Sequence, residues 1–296
     1  MISFIMMAKN TDRYIGEAIT ELQRENASPW ELIIIDDHSS DNTYNIAKSF
    51  QENDKRILVR KNIFSGKVLG TNFGFTLTKG DIIKCIDSDD ILNVDFFREV
   101  DAYSEYDAHY HDAFVVDENL KTIAKQVIGS SFQNQSLENV VRNINSLPKA
   151  YWSYKREIAE KIFPLPENLP VEDEWISFSI KKYSKSIQYI KKPLYLYRQH
   201  EGQDYGGILN YSLEKISFRA KRLTKVLKIV NEKLLQDKID LCEEQTYLKL
   251  QLSKSSVSTI LASSINFKRK IKLMLILHAP KLTVAIIMIR WKLIKK

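Results

Sequence analysis

The chain has 296 residues, of which 44% are hydrophobic and 27% charged, and this ordinary globular composition excludes a disordered protein. Nine of its 44 basic residues lie in 266–296, which contains no acid, so the remaining 265 residues carry a net charge of about −2 against 37 acids. A nucleic-acid-binding body is therefore not expected. The only cysteines, Cys85 and Cys242, lie far apart in apolar stretches, which excludes a disulfide framework and favours a reducing, cytoplasmic setting.

The first half of the chain alternates apolar runs with helical patterns. The start at Ile2–Met7 has no basic segment or cleavage site, so no export signal is expected. Strands alternating with helices of this length predict a parallel sheet with right-handed crossovers. Strands are predicted at 2–7, 31–36, 57–59, 81–86, 107–117, 120–128 and 187–198, and helices at 12–25, 41–53, 67–78, near 93–97, at 137–144, 155–163 and through 209–261.

Three clustered glycines, Gly202, Gly206 and Gly207, indicate a domain boundary. We predict an α/β domain at 1–205 and a helical region at 206–296. The helical region is expected to end in a basic amphipathic segment.

Acidic clusters follow two of the predicted strands. Residues 36–41 follow the second strand, and Asp87-Ser88-Asp89-Asp90 follows the fourth. Ligands of open parallel sheets bind beyond the carboxyl ends of the strands, so both clusters are expected at one edge. Carboxylates crowded there suit Mg²⁺ or Mn²⁺, which can bridge them to substrate phosphates. An acidic turn that caps the following helix explains the tetrapeptide equally well, and the tetrapeptide alone leaves both open.

Five motifs together resemble those of family 2 glycosyltransferases, in the family's order and across about the first two hundred residues. The resemblance implies a GT-A fold, which is a Rossmann-like, mostly parallel sheet flanked by helices. It also implies inverting transfer from a nucleotide-diphosphate sugar, expected to be a UDP-sugar, with a divalent cation, Mn²⁺ or Mg²⁺. The motifs are residues 33–41 (V-D-D-G-S-x-D), 72–74 with 79–83 (N-x-G and G-D-Y-I), 86–90 (L-D-S-D-D), Glu172-Asp173 (E-D) and 197–200 (Y-R-x-H).

On the donor side, the resemblance assigns the main metal ligand to Asp89 and a metal or ribose contact to Asp87. It implies that Asp37 hydrogen-bonds the nucleotide base, and the alternative for the acids at 36–41 is an Asx-turn with a helix cap. Arg198 and His200 are candidates for the diphosphate, because guanidinium and imidazole groups suit phosphate oxygens. A core or surface position is the alternative for His200.

On the acceptor side, the resemblance implies that Asp173 is the catalytic base that takes the proton of the acceptor hydroxyl. Glu172 is expected to support it, and Asp90 to face the acceptor. The alternative is that acids at 172–174 simply open a helix, where the macrodipole favours them.

Three departures from the family pattern bear on the donor. Lys9 replaces the aromatic residue that commonly lies against the base, so it is a candidate contact to phosphate or to an acidic sugar, and the alternative is that its side chain is simply solvated. The usual Arg of the segment at 70–72 is missing, and Lys67 is the candidate substitute. His38 replaces a Gly, which a turn accepts only if the φ angle of His38 stays negative or its backbone adopts the left-handed region.

The basic tail at 266–296 has apolar stretches too short to span a membrane, which needs roughly twenty residues. Its cations, Trp291 and apolar faces favour an interfacial helix on anionic lipid. The alternative is a helical hairpin packed on the catalytic domain or on a second copy, so an oligomer through the C-terminal helices stays open.

The sequence thus favours a glycosyltransferase peripheral on the cytoplasmic face of the inner membrane. Its acceptor is expected to be a lipid-linked or surface glycan rather than nucleic acid. The alternatives are a sugar-phosphate nucleotidyltransferase, whose glycine-rich loop is not visible near residues 8–20, and a non-catalytic glycan- or membrane-binding module.

Overall fold

The computed structural model describes residues 1–200, 212–235, 239–279 and 282–283. The chain divides into two compact units, one of residues 1–137 and 146–198 and the other of 138–145 and 199–296. The domain boundary predicted at 205/206 lies outside the described residues. The basic tail is described as far as residue 279 and at 282–283, and Trp291 lies outside that part.

The first unit contains one sheet of nine strands with the order β3-β2-β1-β4-β8-β6-β9-β5, in which β7 pairs with β6 at its side. Helices surround this sheet. The strands are β1 (Ile2–Ala8), β2 (Trp30–Asp36), β3 (Ile57–Lys61), β4 (Ile82–Asp87), β5 (Ile91–Leu92), β6 (Ala108–Val116), β7 (Thr122–Gln126), β8 (Trp152–Lys155) and β9 (Ile187–Arg198). The helices are α1 (Ile15–Gln23), α2 (Thr43–Asn53), α3 (Lys67–Thr76), α4 (Asp95–Ala102), α5 (Ser131–Asn134), α6 (Leu137–Arg142, where the second unit begins), α7 (Arg156–Ile162) and α8 (Glu172–Tyr183), with a 3-10 turn at Lys149–Tyr151.

The predicted parallel arrangement is confirmed for β3, β2, β1 and β4, which pair in parallel. Every residue of β1 is buried, which explains its unbroken apolar sequence, as expected for a strand covered on both faces. The rest of the sheet is mixed, because β8 runs antiparallel to both β4 and β6. Sequence reasoning missed β5 and β8, and it placed the start of α7 one residue early, on the last residue of β8.

Two glycines allow α3 to approach the sheet closely. A Cβ atom at Gly74 would lie 2.8 Å from Ile5 Cγ2, and one at Gly70 would meet the end of the Met7 side chain. Larger residues would push α3 away from β1 and β2. The close approach sets the height of Lys67, the first residue of α3, above the carboxyl ends of the strands.

The second unit is helical in its described part. Glu244 is 1% exposed and lies between two guanidinium groups, at 3.0 Å from Arg269 Nη2 and 3.7 Å from Arg142 Nη1. The same arginines also donate to main-chain carbonyls. Because Glu244 and the two arginines stand on three different helices, this buried carboxylate joins the three. They are α6, α10 (Cys242–Leu252) and α12 (Phe267–His278), and the unit also holds α9 (Leu213–Ile229), which continues as a π-helical turn at Val230–Leu234, and α11 (Val257–Ala262).

Candidate active site

The two acidic clusters lie at the same edge of the sheet, as predicted. β1 is flanked by β2 and β4, with Ala8 in register with Asp36 and Met7 with Asp87. The loops beyond these strands are joined by hydrogen bonds, since the Asp37 N–H donates to the Ala8 carbonyl at 2.8 Å. The Thr11 hydroxyl donates to Ser88 Oγ at 3.1 Å.

Five charged side chains meet at this edge, and we call them the charged cluster: Lys67, Asp87, Lys149, Glu172 and Asp173. Asp87 Oδ1 lies 3.2 Å from Lys67 Nζ and 3.4 Å from Lys149 Nζ. Lys149 Nζ lies 3.1 Å from Glu172 Oε2, and both of these side chains are almost fully buried, with exposed fractions of 4% and 3%. The Thr71 hydroxyl donates to the other oxygen of Glu172. Lys67 is 48% exposed and so faces the solvent side of the cluster.

Asp173 joins the cluster through the backbone of Lys149. It is the second residue of α8, and its Oδ1 accepts a hydrogen bond of 2.9 Å from the Lys149 N–H. The side chain is half-buried, unlike that of Glu172 beside it. The two side chains of the predicted pair therefore differ: Glu172 is buried against Lys149, whereas Asp173 is partly exposed.

The carboxyl groups of the cluster differ in proton affinity. Burial would raise the pKa of Asp87, but the ammonium groups of Lys149 and Lys67 hold that pKa well below its usual range. Burial also opposes ionisation of Glu172, yet the same two ammonium groups and the Thr71 hydroxyl lower its pKa. For Asp173 burial prevails and raises the pKa, although the Lys149 N–H offsets part of the effect. Asp173 is therefore the member of the cluster best suited to take up a proton.

Asp37 fixes the loop between β3 and α3. Its Oδ1 accepts hydrogen bonds from Asn62 Nδ2 at 2.7 Å and from the Gly66 N–H at 3.1 Å. Its Oδ2 lies 3.7 Å from the ammonium group of Lys9, which is 62% exposed. The loop carries two exposed apolar side chains at 63 and 64. Base recognition by Asp37 stays a prediction. In the structure, the contacts of Asp37 hold this loop in place.

His38 adopts the left-handed region, with φ of 59°, which is one of the two conformations that its position allowed. Its Nε2 lies 2.7 Å from the Phe64 carbonyl, so this nitrogen carries the proton and donates. The histidine that replaces the usual glycine thus gains a hydrogen bond to the same loop that Asp37 holds.

Arg198 is 2% exposed, and its guanidinium group is bonded within the protein. It donates to the carbonyls of Asp89 at 2.7 Å and Glu118 at 2.6 Å, and to Glu17 Oε2 at 2.7 Å. A diphosphate contact by Arg198 stays a prediction, whereas these contacts make the residue a clamp on the turn at 87–90. His200, two residues beyond β9, is half-buried.

Asp90 lies in the interior, with 3% exposure, and its Oδ1 accepts the Arg198 N–H at 2.8 Å. Burial, together with Asp89 and Asp87, raises its pKa well above the ordinary value. Its predicted role toward the acceptor stays a prediction, and the geometry shows it tying β4 to β9.

The carboxylates at this edge are suited to a divalent cation if a substrate supplies the remaining ligands. Within the described residues, no group of three His, Cys, Asp or Glu side chains is arranged to hold a metal. Asp87 and Asp89 are two carboxylates at the end of one strand, and Mg²⁺-type cations at nucleotide sites take one or two carboxylates plus phosphate oxygens. The pair therefore fits a cation whose other ligands come from a diphosphate, in competition with Lys67 and Lys149 for Asp87.

Sequence reasoning missed Lys149, Thr71 and Asn62. No motif marked Lys149, which directly precedes the buried residues 150–152. A signal was nonetheless present, because several carboxylates at one sheet edge require counter-charges, and a lone lysine beside buried residues is a candidate for one.

With this geometry in hand, comparison with known proteins decides the family. The sequence profile described as Glycosyl transferase family 2 matches residues 3–163, more than half of the chain. The chain belongs to this family. EpsH of Bacillus subtilis (strain 168), which is named as a glycosyltransferase, is 28% identical over 209 residues. These residues are 67% of this chain and 61% of EpsH, so the chain spans less than two thirds of that relative.

Solved structures confirm the GT-A fold of this family 2 glycosyltransferase. S. aureus TarS, solved with UDP-GlcNAc, matches with a TM-score of 0.58 and 17% identity, over 92% of this chain and 79% of TarS. The mannosyltransferase PcManGT from Pyrobaculum calidifontis, solved with GDP-Man and Mn²⁺, matches with a TM-score of 0.55 and 13% identity, over 96% of this chain and 80% of PcManGT. The family favours glycosyl transfer over the nucleotidyl transfer that the sequence left open.

Proposed function

We propose that the protein is an inverting glycosyltransferase that uses a nucleotide-diphosphate sugar, with a UDP-sugar as the expected donor. The observation that carries the proposal is the charged cluster, in which two cations face Asp87 while Asp173 stands at the partly exposed end. The donors named with TarS and PcManGT, UDP-GlcNAc and GDP-Man, support a sugar nucleotide as the class of substrate.

The donor end of the reaction requires positive charge. As the bond between the anomeric carbon and the diphosphate breaks, negative charge grows on the phosphate oxygens. Lys67 is exposed enough to meet these oxygens, and its position is fixed by the contact with Asp87. A cation held by Asp87 and Asp89 would supply Lewis-acid stabilisation of the same leaving group. The Mn²⁺ named with PcManGT supports that assignment.

The acceptor end requires a base. The acceptor hydroxyl oxygen attacks the anomeric carbon from the face opposite to the diphosphate, and its proton passes to the Asp173 carboxylate. One displacement of this kind inverts the configuration. A raised pKa improves Asp173 as a base near neutral pH, and the Lys149 N–H fixes one of its oxygens.

A panel of nucleotide sugars tests the proposal. The purified chain, with Mn²⁺ or Mg²⁺ and a bacterial lipid extract, is expected to release nucleoside diphosphate from one member of the panel. Mass spectrometry of the lipids should show the matching mass increase, and NMR of the product an inverted anomeric centre. A folded chain that turns over no donor, or that retains the configuration, contradicts the proposal.

We place the acceptor at the cytoplasmic face of the membrane and favour a lipid-linked glycan. No helix in the described ranges is long and apolar enough to cross a membrane. α12 instead presents Phe267 and Ile271, with exposed fractions of 71% and 40%, beside the exposed Lys268 and Lys272. Exposed aromatic and aliphatic groups next to cations suit an anionic lipid surface. Arg269 of the same basic run is 16% exposed and pairs with Glu243 and Glu244, so it belongs to the packing of the unit.

A further inference from the structure

Lys149 is a deeply buried cation in contact with two predicted site residues, and its side chain is only 4% exposed. Its ammonium group contacts Asp87 on β4 and Glu172 on α8, two elements that are separate in sequence. A buried ammonium group is costly to desolvate, and it is retained where removal would leave buried carboxylates without a counter-charge. Lys149 therefore links the strand that ends in the predicted metal ligand Asp87 to the helix that carries the predicted base.

The backbone around Lys149 is fixed to α8. The Lys149 N–H donates to Asp173, and Ser177 Oγ accepts the Leu147 N–H at 3.0 Å. Trp152 Nε1 also reaches Ser177 Oγ at 3.1 Å. Residues 147–152 are thus held along the first two turns of α8.

The same segment is also fixed to β4. Lys84, three residues before Asp87, is fully buried and donates to the carbonyls of Ala150 and Trp152. Two lysines therefore connect β4 with this segment, one from the strand and one from the segment itself. Their contacts leave little freedom for Asp87 and Asp173 to move independently.

We propose that Lys149 is a positioning residue for glycosyl transfer, which sets the distance and orientation between Asp87 at the donor and Asp173 at the acceptor. The inference rests on the proposed function, because it takes Asp87 and Asp173 as the donor and base residues. The Lys149 ammonium group, shielded from solvent, acts through Asp87 and through Glu172, which precedes Asp173 on α8, while the Lys149 N–H holds Asp173 itself. A displacement of the base by about 1 Å costs on the order of 10²-fold in rate.

The test compares Lys149→Met with Lys155→Met as the matched control. Met removes the ammonium group but keeps the chain length and the N–H that Asp173 accepts. Lys155 lies on β8, pairs with Asp107 at 3.7 Å and donates to the Glu105 carbonyl, and neither of these partners belongs to the charged cluster. We expect kcat of Lys149→Met to fall by about 10²-fold, with the donor KM changed by less than about fivefold. Lys155→Met should keep both constants. A folded Lys149→Met protein with wild-type kcat, or with only a raised donor KM, overturns the proposal.

A double-mutant cycle separates failure of this inference from failure of the proposed function. Lys149→Met, Glu172→Gln and the double variant are compared by thermal unfolding, which needs no substrate. The double variant should lose less in Tm than the sum of the single variants, because it carries no unpaired buried carboxylate at Glu172. Additive losses in Tm would show that the two residues are not linked, whether or not transfer is observed. If Lys149→Met does not fold, kcat of the double variant tests the proposal. The double variant is expected to fold without regaining kcat. A wild-type kcat in the double variant overturns the proposal.

Discussion

Lysines of the two units lie in different environments. In the charged cluster, Lys149 is buried and held by Asp87 and Glu172, so its charge has a fixed position. On α12, Lys268 and Lys272 are exposed beside Phe267 and Ile271. A fixed, desolvated charge can stabilise a reacting group, whereas exposed cations next to apolar side chains can attract a surface. Net charge by itself reports only the second kind, and the +7 of the chain gave no indication of Lys149.

The largest effect is expected from Asp173→Asn, which removes the proposed base but keeps the shape of the side chain. Because general bases contribute between 10² and 10⁴ in rate, kcat should fall by about 10³-fold. Nucleoside diphosphate binding, measured by calorimetry, and liposome binding should both match the wild type. Retention of full kcat would show that the base is another residue.

Removal of the proposed divalent cation should have the next largest effect. Chelation by EDTA, or the change Asp89→Asn, is expected to lower kcat by about 10²-fold, since either removes charge stabilisation of the leaving diphosphate. Manganese binding in the presence of nucleoside diphosphate, followed by EPR, gives a second readout. Asp95→Asn is the control, because Asp95 is half exposed and pairs with Arg98 on α4. Equal activity in EDTA contradicts the metal assignment.

The exposed face of α12 is tested by the double change Phe267→Ser and Ile271→Ser. Sedimentation with anionic liposomes should weaken by about tenfold, because two apolar side chains no longer enter the lipid interface. Transfer to a water-soluble acceptor should be unchanged. Phe218→Ser on α9 serves as the control, since Phe218 is also exposed, at 54%. Binding that survives the double change, or that falls equally in the control, argues against α12 as the contact surface.

The pH profile of transfer should report the buried environment of Asp173. The proposed base acts when ionised, and burial raises the pKa of Asp173, so kcat should decline on the acid side at a pH above the ordinary aspartate value of about 3.9. The decline should approach about tenfold per pH unit and should be absent from the residual activity of Asp173→Asn. An acid limb at or below about 3.9 would place Asp173 in a solvated environment instead.

The smallest effect concerns stability rather than rate. Burial lowers the pKa of Lys84 to about 7, while the pKa of an unfolded lysine stays near its ordinary value of 10.5. Between these values the unfolded chain binds the proton that the folded chain lacks, so stability should rise with pH by up to about 1.4 kcal/mol per unit. Urea unfolding of the wild type and of Lys84→Met between pH 7 and 10 measures the difference. A difference that is constant or falls with pH refutes the assignment.

Much of the sheet edge could be predicted from sequence. The apolar runs before Asp36 and Asp87 predicted two parallel strands, and parallel strands bring their carboxyl ends together. β8 was missed because Trp152–Lys155 is only four residues long and directly precedes α7, so the helical pattern masked it. Short strands are recognised mainly by their partners in the sheet, and the sequence does not show those partners.

The pairing of side chains could not be predicted in the same way. Arg198 stands in a motif that suggested a phosphate contact, yet three of its contacts are to residues 17, 89 and 118. Lys149 lies in a stretch without a motif, and its partners come from β4 and α8. Such contacts depend on distances across the fold, and local patterns report only what neighbours in sequence share.

The Arg198 clamp has a consequence for engineering. The Glu118 carbonyl that it binds lies in the turn between β6 and β7, and the Asp89 carbonyl lies in the turn after β4. An exchange of the β6–β7 turn for one from a relative will therefore disturb the carboxylates after β4 unless the replacement presents a carbonyl at the same point. Chimeras intended to alter substrate choice should transfer that turn together with Arg198 and Glu17 as one block.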